Sequence, residues 1–156
     1  MKNSFEVRVL HACDVQALRD MLSMFGRAFA EPATYVEHQP EDPYLRNLLA
    51  GNTFIAIVAV AGGKVIGGIA AYVLEKFEQA RSELYIYDLA VDEHHRRRGV
   101  ATAMITALQN LAAARGIYVI FVQADQGDEP AIGLYTKLGV REDVLHFDIA
   151  AQERAA

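Results

Sequence analysis

Between Leu89 and Ala101 the chain reads Leu-Ala-Val-Asp-Glu-His-His-Arg-Arg-Arg-Gly-Val-Ala, which sets three arginines and a glycine between an apolar strand end and the first turn of a helix. Such a junction can hold a phosphate. Amides at a helix start have no partner within the helix, the helix dipole adds partial positive charge there, and Gly99 lets an anion reach the main chain without a Cβ in the way. Arg96, Arg97 and Arg98 add charge and forked donors for phosphate oxygens. The spacing Arg96-x-x-Gly99-x-Ala101 is neither G-x-x-x-x-G-K-[ST] nor G-x-G-x-x-G, and neither pattern occurs elsewhere in the chain. Taken alone, the run also reads as a capped helix start with a solvated basic stretch.

The elements that must position this turn follow from periodicity. Phe5, Val7 and Val9 alternate with Glu6 and Arg8 as a half-buried strand does. Asp14 is placed to cap a helix with apolar residues at Val15, Leu18, Leu22 and Phe25. A loop through Pro32, Tyr35, Glu37, His38 and Pro40 follows, and then a short helix with Asp42 as N-cap and Pro43 as first residue. Two apolar strands, Thr53 to Ala61 and Lys64 to Leu74, are joined at Gly62 and Gly63 as a hairpin, and a third, Glu83 to Val91, leads into the arginine turn. Val100, Met104, Leu108 and Leu111 mark the buried face of a helix that Gly116 ends. A strand from Ile117 to Gln123, a helix from Asp128 to Gly139 and a closing strand from Val144 to Ile149 complete a single α/β domain over residues 1–156.

The cradle, this element order and the pattern Ala131-x-x-x-Tyr135-x-Lys137-x-Gly139 together resemble the GNAT N-acetyltransferase superfamily. The resemblance implies an acyl-CoA N-acyltransferase fold: a mixed central sheet with helices on both faces and a strand splayed at the cofactor cleft. It also implies acetyl-CoA as donor, its pyrophosphate on the turn from Arg96 through Gly99, Val100, Ala101 and Thr102, and its pantetheine arm along Leu89, Ala90 and Val91. Asp128 stands where many members have asparagine, a departure that adds negative charge. A narrower resemblance, to the type I aminoglycoside 3-N-acetyltransferases, is carried by Ala33-Thr34-Tyr35, His38-Gln39-Pro40, Lys76-Phe77-Glu78-Gln79, Arg81-Ser82-Glu83, Tyr85 to Val91, Val122 to Asp125 and His146-Phe147-Asp148. It implies acetylation of the 3-amino group of a deoxystreptamine ring, and homodimerisation is expected at family level.

Acetyl transfer from a thioester needs a neutral amine, donors for the developing oxyanion and a proton for the departing thiolate. Asp88, at the end of the cofactor strand, is the first candidate for the base, the other reading being a simple contact to the substrate ammonium. Glu83 is the second candidate, or else a substrate contact or surface charge. The backbone N–H of Leu89 is the candidate oxyanion donor. Tyr135 is the candidate acid, its alternative being a packed helix tyrosine. Tyr85 and Tyr87 either flank the substrate or stack in the core, the core being the safer expectation. Tyr35, Glu83, Asp88, Asp125, Asp128, Glu129, Glu142 and Asp143 are expected on the acceptor side, where carboxylates suit a polycation.

Chain-wide properties narrow the alternatives. A net charge of −5 confines the basic character to the arginine run and leaves no broad basic face for nucleic acid. The five histidines form no ligand-spaced cluster, so no metal is expected. The longest apolar run, Phe54 to Ala61, is too short to span a bilayer, and no signal peptide is readable. Cys13, the lone cysteine, fits a reducing cytoplasm and has no neighbouring base that would make it an acetyl carrier, so direct transfer is expected. Acetylation of another amine, such as a polyamine or a peptide N-terminus, and a non-catalytic acyl-CoA sensor remain the alternative functions.

Overall fold

A computed structural model describes residues 4–152. In order, the elements are β1 (Glu6–Val9), α1 (Val15–Ala28), α2 (Pro32–Tyr35), α3 (Asp42–Ala50), β2 (Phe54–Ala61), β3 (Lys64–Glu75), β4 (Ser82–Val91), a 3-10 turn (Glu93–His95), α4 (Val100–Ala114), β5 (Val119–Val122) and α5 (Glu129–Leu138). The chain divides into two compact units, one up to Gln123 and one from Ala124 onward.

The first unit is built on a five-stranded sheet in the order β1-β2-β3-β4-β5. The first four strands pair antiparallel, and β4 pairs with β5 in parallel after the α4 crossover. This is the mixed α/β architecture expected from the sequence. The hairpin between β2 and β3 turns at Gly62 and Gly63, both with positive φ, as the tight turn of a twisted hairpin requires. Helices cover both faces of the sheet. Ala56 and Val58 pack into one cluster with Leu18, Met21 and Phe25 of α1 and Leu45 and Leu49 of α3. On the opposite face Gly67 lies against Val100 and Met104 of α4. Both helices lie against the sheet at neighbouring glycines. A Cβ on Gly67 would lie 3.0 Å from Val100 Cγ1, and one on Gly68 would lie 2.5 Å from Met21 Cγ. Successive strand residues face opposite sides, so this pair clears room for one helix each.

Several expectations need correction. Asp14 stands at the start of α1 but makes no side-chain cap; its carboxylate instead accepts from the His11 N–H at 2.8 Å. Glu41, not Asp42, precedes α3, and Asp42 is drawn into an ion pair with Arg19 at 2.6 Å. The segment read as a loop after α1 contains the single turn α2, started by Pro32. The fifth strand is shorter than the sequence suggests, Val119–Val122. The expected closing strand from Val144 to Ile149 is not formed: the segment is irregular, and β5 is the last strand among the described residues.

In the second unit, α5 is capped by Asp128, whose Oδ1 accepts from the Ala131 N–H at 3.3 Å. The helix ends before Gly139, as its sequence indicates. Among the described residues no helix is long and apolar enough to cross a membrane, and no group of His, Cys, Asp and Glu could hold a metal ion.

Candidate active site

β4 is the element on which the first unit's candidate residues are arranged. Its N-terminal half, Glu83 to Ile86, is paired on both sides, with β3 and with β5. The pairing with β5 ends at Ile86, opposite Val122. At the same point the register with β3 slips: Ala70 faces Asp88 while Ala71 faces Ile86, leaving Tyr87 as the extra residue of a bulge. The Asp92 N–H donates to Ile66 O at 2.7 Å. Antiparallel alternation then turns the amides of Ala90 and Asp88 toward β3 and those of Leu89 and Val91 toward the open edge. Val91 O faces that edge too, where Arg96 Nε donates to it at 3.1 Å.

Asp88 is half-buried on this open half. Tyr35 Oη donates to its Oδ2 at 3.0 Å, a contact between residues 53 apart in sequence. Burial raises the Asp88 pKa from the ordinary aspartate value; the Tyr35 hydrogen bond works the other way, and the Glu31 charge adds to the rise. The same pairing holds the Tyr35 phenol well above its usual range, burial being the larger cause and the Asp88 charge the next. Tyr35 is in turn fixed by aromatic contacts to Phe25 and Phe29, with ring centroids 5.8 and 5.5 Å away. Its carbonyl accepts from Gln39 Nε2 at 3.1 Å, and Arg19 of α1 fastens the following chain through Gln39, Pro40 O and Asp42.

Beside Asp88 the bulge presents aromatic rings. Tyr87 is 61% exposed and meets Tyr72 and Tyr85 edge-on, each at 5.8 Å. Tyr85 stacks on Phe121 at 4.6 Å and donates its hydroxyl to Gln123 at 3.0 Å. The expectation of stacked core aromatics therefore fails for Tyr87, which is exposed, while Tyr85 is stacked but only partly buried; with Tyr72 the rings form a partly open wall. Burial and the Asp88 charge both raise the pKa of Tyr72 and of Tyr85, which places that carboxylate within their electrostatic reach.

The turn after β4 has the backbone of an anion cradle. Arg97, a non-glycine residue, has φ 61°, and Gly99 has φ 78°, both in the left-handed region that side chains disfavour. The first intrahelical bond of α4 runs from the Ala103 N–H to Gly99 O, and no side chain caps the helix. The amides of Val100, Ala101 and Thr102 therefore have no partner within the helix. Arg96, Arg97 and Arg98 are exposed around them. The residues present fit a bound pyrophosphate: free amides, positive dipole and a glycine whose missing Cβ leaves open space.

Glu83 is differently placed. Its Oε1 accepts from the Tyr118 hydroxyl, its Oε2 lies 3.7 Å from Lys76 Nζ, and Arg81 stacks over the Tyr118 ring at 4.0 Å. It is thus held in a charge cluster about 16 Å along the strand from Asp88, at roughly 3.3 Å per residue. In the second unit, Tyr135 has a pKa pushed up to about 12, by burial first and by the Asp128 charge second. Asp125, Asp128, Glu129, Glu142 and Asp143 are exposed there, with Asp128 engaged as the α5 cap and Asp143 paired to Arg141 at 2.8 Å. Sequence reasoning named Tyr35 and Asp88 separately and missed their contact. It also missed Tyr72 and the strained Arg97, for which nothing in the residue pattern gives a signal.

The family model described as acetyltransferase (GNAT) family matches residues 18–140. An aminoglycoside acetyltransferase from an uncultured soil metagenomic sample is 54% identical, with a TM-score of 0.94, covering 96% of this chain and 100% of that one. A second soil-metagenome aminoglycoside acetyltransferase, solved in complex with sisomicin, is 30% identical with a TM-score of 0.88, covering 96% of this chain and 98% of that one. Among curated relatives, rat N-acetyltransferase family 8 member 2 is 28% identical over 90 residues, 58% of this chain and 40% of that protein. The chain thus spans well under half the length of that curated relative.

Proposed function

Because the chain belongs to the GNAT acetyltransferase family, we propose that it moves an acetyl group from acetyl-CoA to an amino group of an aminoglycoside, at the 3-position of the deoxystreptamine ring, by direct transfer. Acetyl-CoA supplies the activated thioester. The turn amides of Val100, Ala101 and Thr102, with Arg96, Arg97 and Arg98, hold its pyrophosphate, while the pantetheine arm lies along Leu89, Ala90 and Val91, bonding the outward amide of Val91 as a neighbouring strand would.

The observation that carries the reading is Asp88: a half-buried carboxylate with a raised pKa beside unpaired strand amides. Its raised pKa suits a base that must take a proton from a substrate ammonium near neutrality. The Leu89 N–H, one residue on, is the donor for the developing oxyanion. Tyr135, its pKa pushed up to about 12, is protonated throughout the working range and gives its proton to the departing thiolate. The aromatic wall of Tyr72, Tyr85 and Tyr87 suits the apolar faces and ammonium groups of an aminosugar. Asp125, Asp128, Glu129, Glu142 and Asp143 attract the remaining ammonium groups. Glu83 serves the fold rather than the proton transfer. The enzyme works as a homodimer in the reducing cytoplasm, where its free Cys13 stays a thiol.

The test is thiol release from acetyl-CoA across aminoglycosides, polyamines and peptide N-termini, with the acetyl position located on the product by NMR. Turnover with deoxystreptamine aminoglycosides and an acetyl group on the 3-amino nitrogen is the expected result. Acetylation at another amino position refutes the regiochemistry, and turnover confined to polyamines or peptides refutes the substrate class.

A further inference from the structure

The run His38-Gln39-Pro40 has no part in the proposed reaction, yet its middle residue has two partners. Gln39 Oε1 accepts from Arg19 Nη1 at 3.0 Å, and Gln39 Nε2 donates to Tyr35 O at 3.1 Å. One amide thus joins α1 to the residue that donates to Asp88. Arg19 extends the join along the chain: its Nη2 donates to Pro40 O at 2.8 Å, and its Nε and Nη2 both donate to Asp42 Oδ1, at 3.1 and 2.6 Å. All three guanidinium nitrogens are engaged, and a planar fork is needed to serve three residues at once.

Tyr35 needs such a hold. α2 is a single turn without a buried residue, and from Val36 to Glu41 only Gln39 and Pro40 are partly withdrawn from solvent. A turn this short does not hold itself in water. Phe25 and Phe29 touch the Tyr35 ring, and α1 lies so close at Gly26 that a Cβ there would meet Val36 Cγ2 at 2.6 Å. Apolar contact fills space without fixing direction. The 3.0 Å bond from Tyr35 Oη to Asp88 Oδ2 tolerates little displacement.

We infer that Arg19 and Gln39 are positioning residues for Asp88: they hold the Tyr35 backbone where its hydroxyl stays on that carboxylate. The inference rests on Asp88 as the base of the proposed reaction. The titratable groups that act on Asp88 or feel its charge are Tyr35, Glu31 just ahead of α2, Tyr72 of β3 and Tyr85 of β4, with Tyr87 next to it in the bulge. Arg19 and Gln39 make no bond to Asp88 and reach it through Tyr35.

The test follows the Asp88 carboxyl itself, by 13C NMR titration of aspartate-labelled protein, its signal assigned by loss in Asp88→Asn. Gln39→Met removes the bridge without changing charge, and Arg19→Lys keeps the charge without the fork. Each should move the Asp88 titration toward neutral pH, in the direction of Tyr35→Phe and no further, because the Tyr35 bond lowers the carboxyl pKa. Adding Gln39→Met to Tyr35→Phe should give no movement beyond that of Tyr35→Phe alone. On the acidic limb, kcat/KM of Gln39→Met should fall about threefold, with the plateau within about twofold of the parent. Titrations of Gln39→Met and Arg19→Lys that coincide with the parent's, whatever the loss in melting temperature, or a further movement in the double variant, overturn the inference and leave the base reading standing. Titrations that move as expected while the acidic limb stays in place uphold the hold on Asp88 and overturn its role as the base.

Discussion

The two ends of β4 each carry a carboxylate, and the two differ in their partners and in how the strand around them is paired. At the N-terminal end both oxygens of Glu83 are engaged, by Tyr118 and Lys76, on a segment of strand paired on both sides. At the C-terminal end Asp88 has a single side-chain donor, Tyr35, on a segment with one edge open and a bulge beside it. A carboxylate whose two oxygens are already held by a donor and a cation must give up a partner to meet a substrate. One that is desolvated with a single neutral donor is poised to take up a proton. The strand is the same and the side-chain chemistry nearly so; what differs is whether neighbours have already satisfied the charge.

Replacing each acid is the strongest way to break that contrast. Asp88→Asn should lower kcat by about a hundredfold or more, the range expected on loss of a general base. Acetyl-CoA affinity should hold, and the acidic limb of the pH profile should vanish. Glu83→Gln should leave kcat within about threefold of the parent; steady-state kinetics with a saturating acceptor compare the two, and a reversal of their effects would move the base to Glu83.

A smaller effect separates donor binding from proton transfer. Gly99→Val should weaken acetyl-CoA binding about tenfold by calorimetry, since its side chain enters the space the anion uses. Because φ at this residue is 78°, a β-branched side chain is strained there as well, and the variant should melt at a lower temperature than the parent. Unchanged affinity in the folded variant would remove the cradle from the donor site.

The finest probe acts on Asp88 through its partner. Tyr35→Phe deletes a hydrogen bond that lowers the Asp88 pKa, so the carboxylate should gain its proton at higher pH. The acidic limb of kcat/KM should then move toward neutrality, with the plateau value changing only a few-fold. A limb that stays in place would mean that Asp88 is not the group titrating there.

What could be read from the sequence follows from the range of the forces involved. Periodicity found the sheet strands and the two large helices because alternation and 3.6-residue spacing record burial locally, and Gly62, Gly63, Gly99 and Gly116 announced turns that need positive φ. Asp14 and Asp42 misled because a carboxylate near a helix start serves whichever donor is closer, here the His11 amide and Arg19. The Tyr35–Asp88 contact, the bulge at Tyr87 and the end of the β5 pairing at Ile86 depend on registers between distant segments, which no local pattern encodes. Val144 to Ile149 has the alternation of a strand, but alternation specifies a face and not the strand that will pair with it.

Gly67 and Gly68 make one point of the sheet an addressable junction. The side chain missing at Gly67 leaves room for Val100, the first residue of the helix that begins at the donor cradle; the one missing at Gly68 leaves room for Met21, on the helix that leads toward Tyr35. A methyl group added at the first position would press on α4 just behind the arginine turn, and one added at the second on α1, which carries the Phe25 ring that packs on Tyr35, the partner of Asp88. Two consecutive codons can therefore disturb the seating of α4 and that of α1 one at a time, from inside the core.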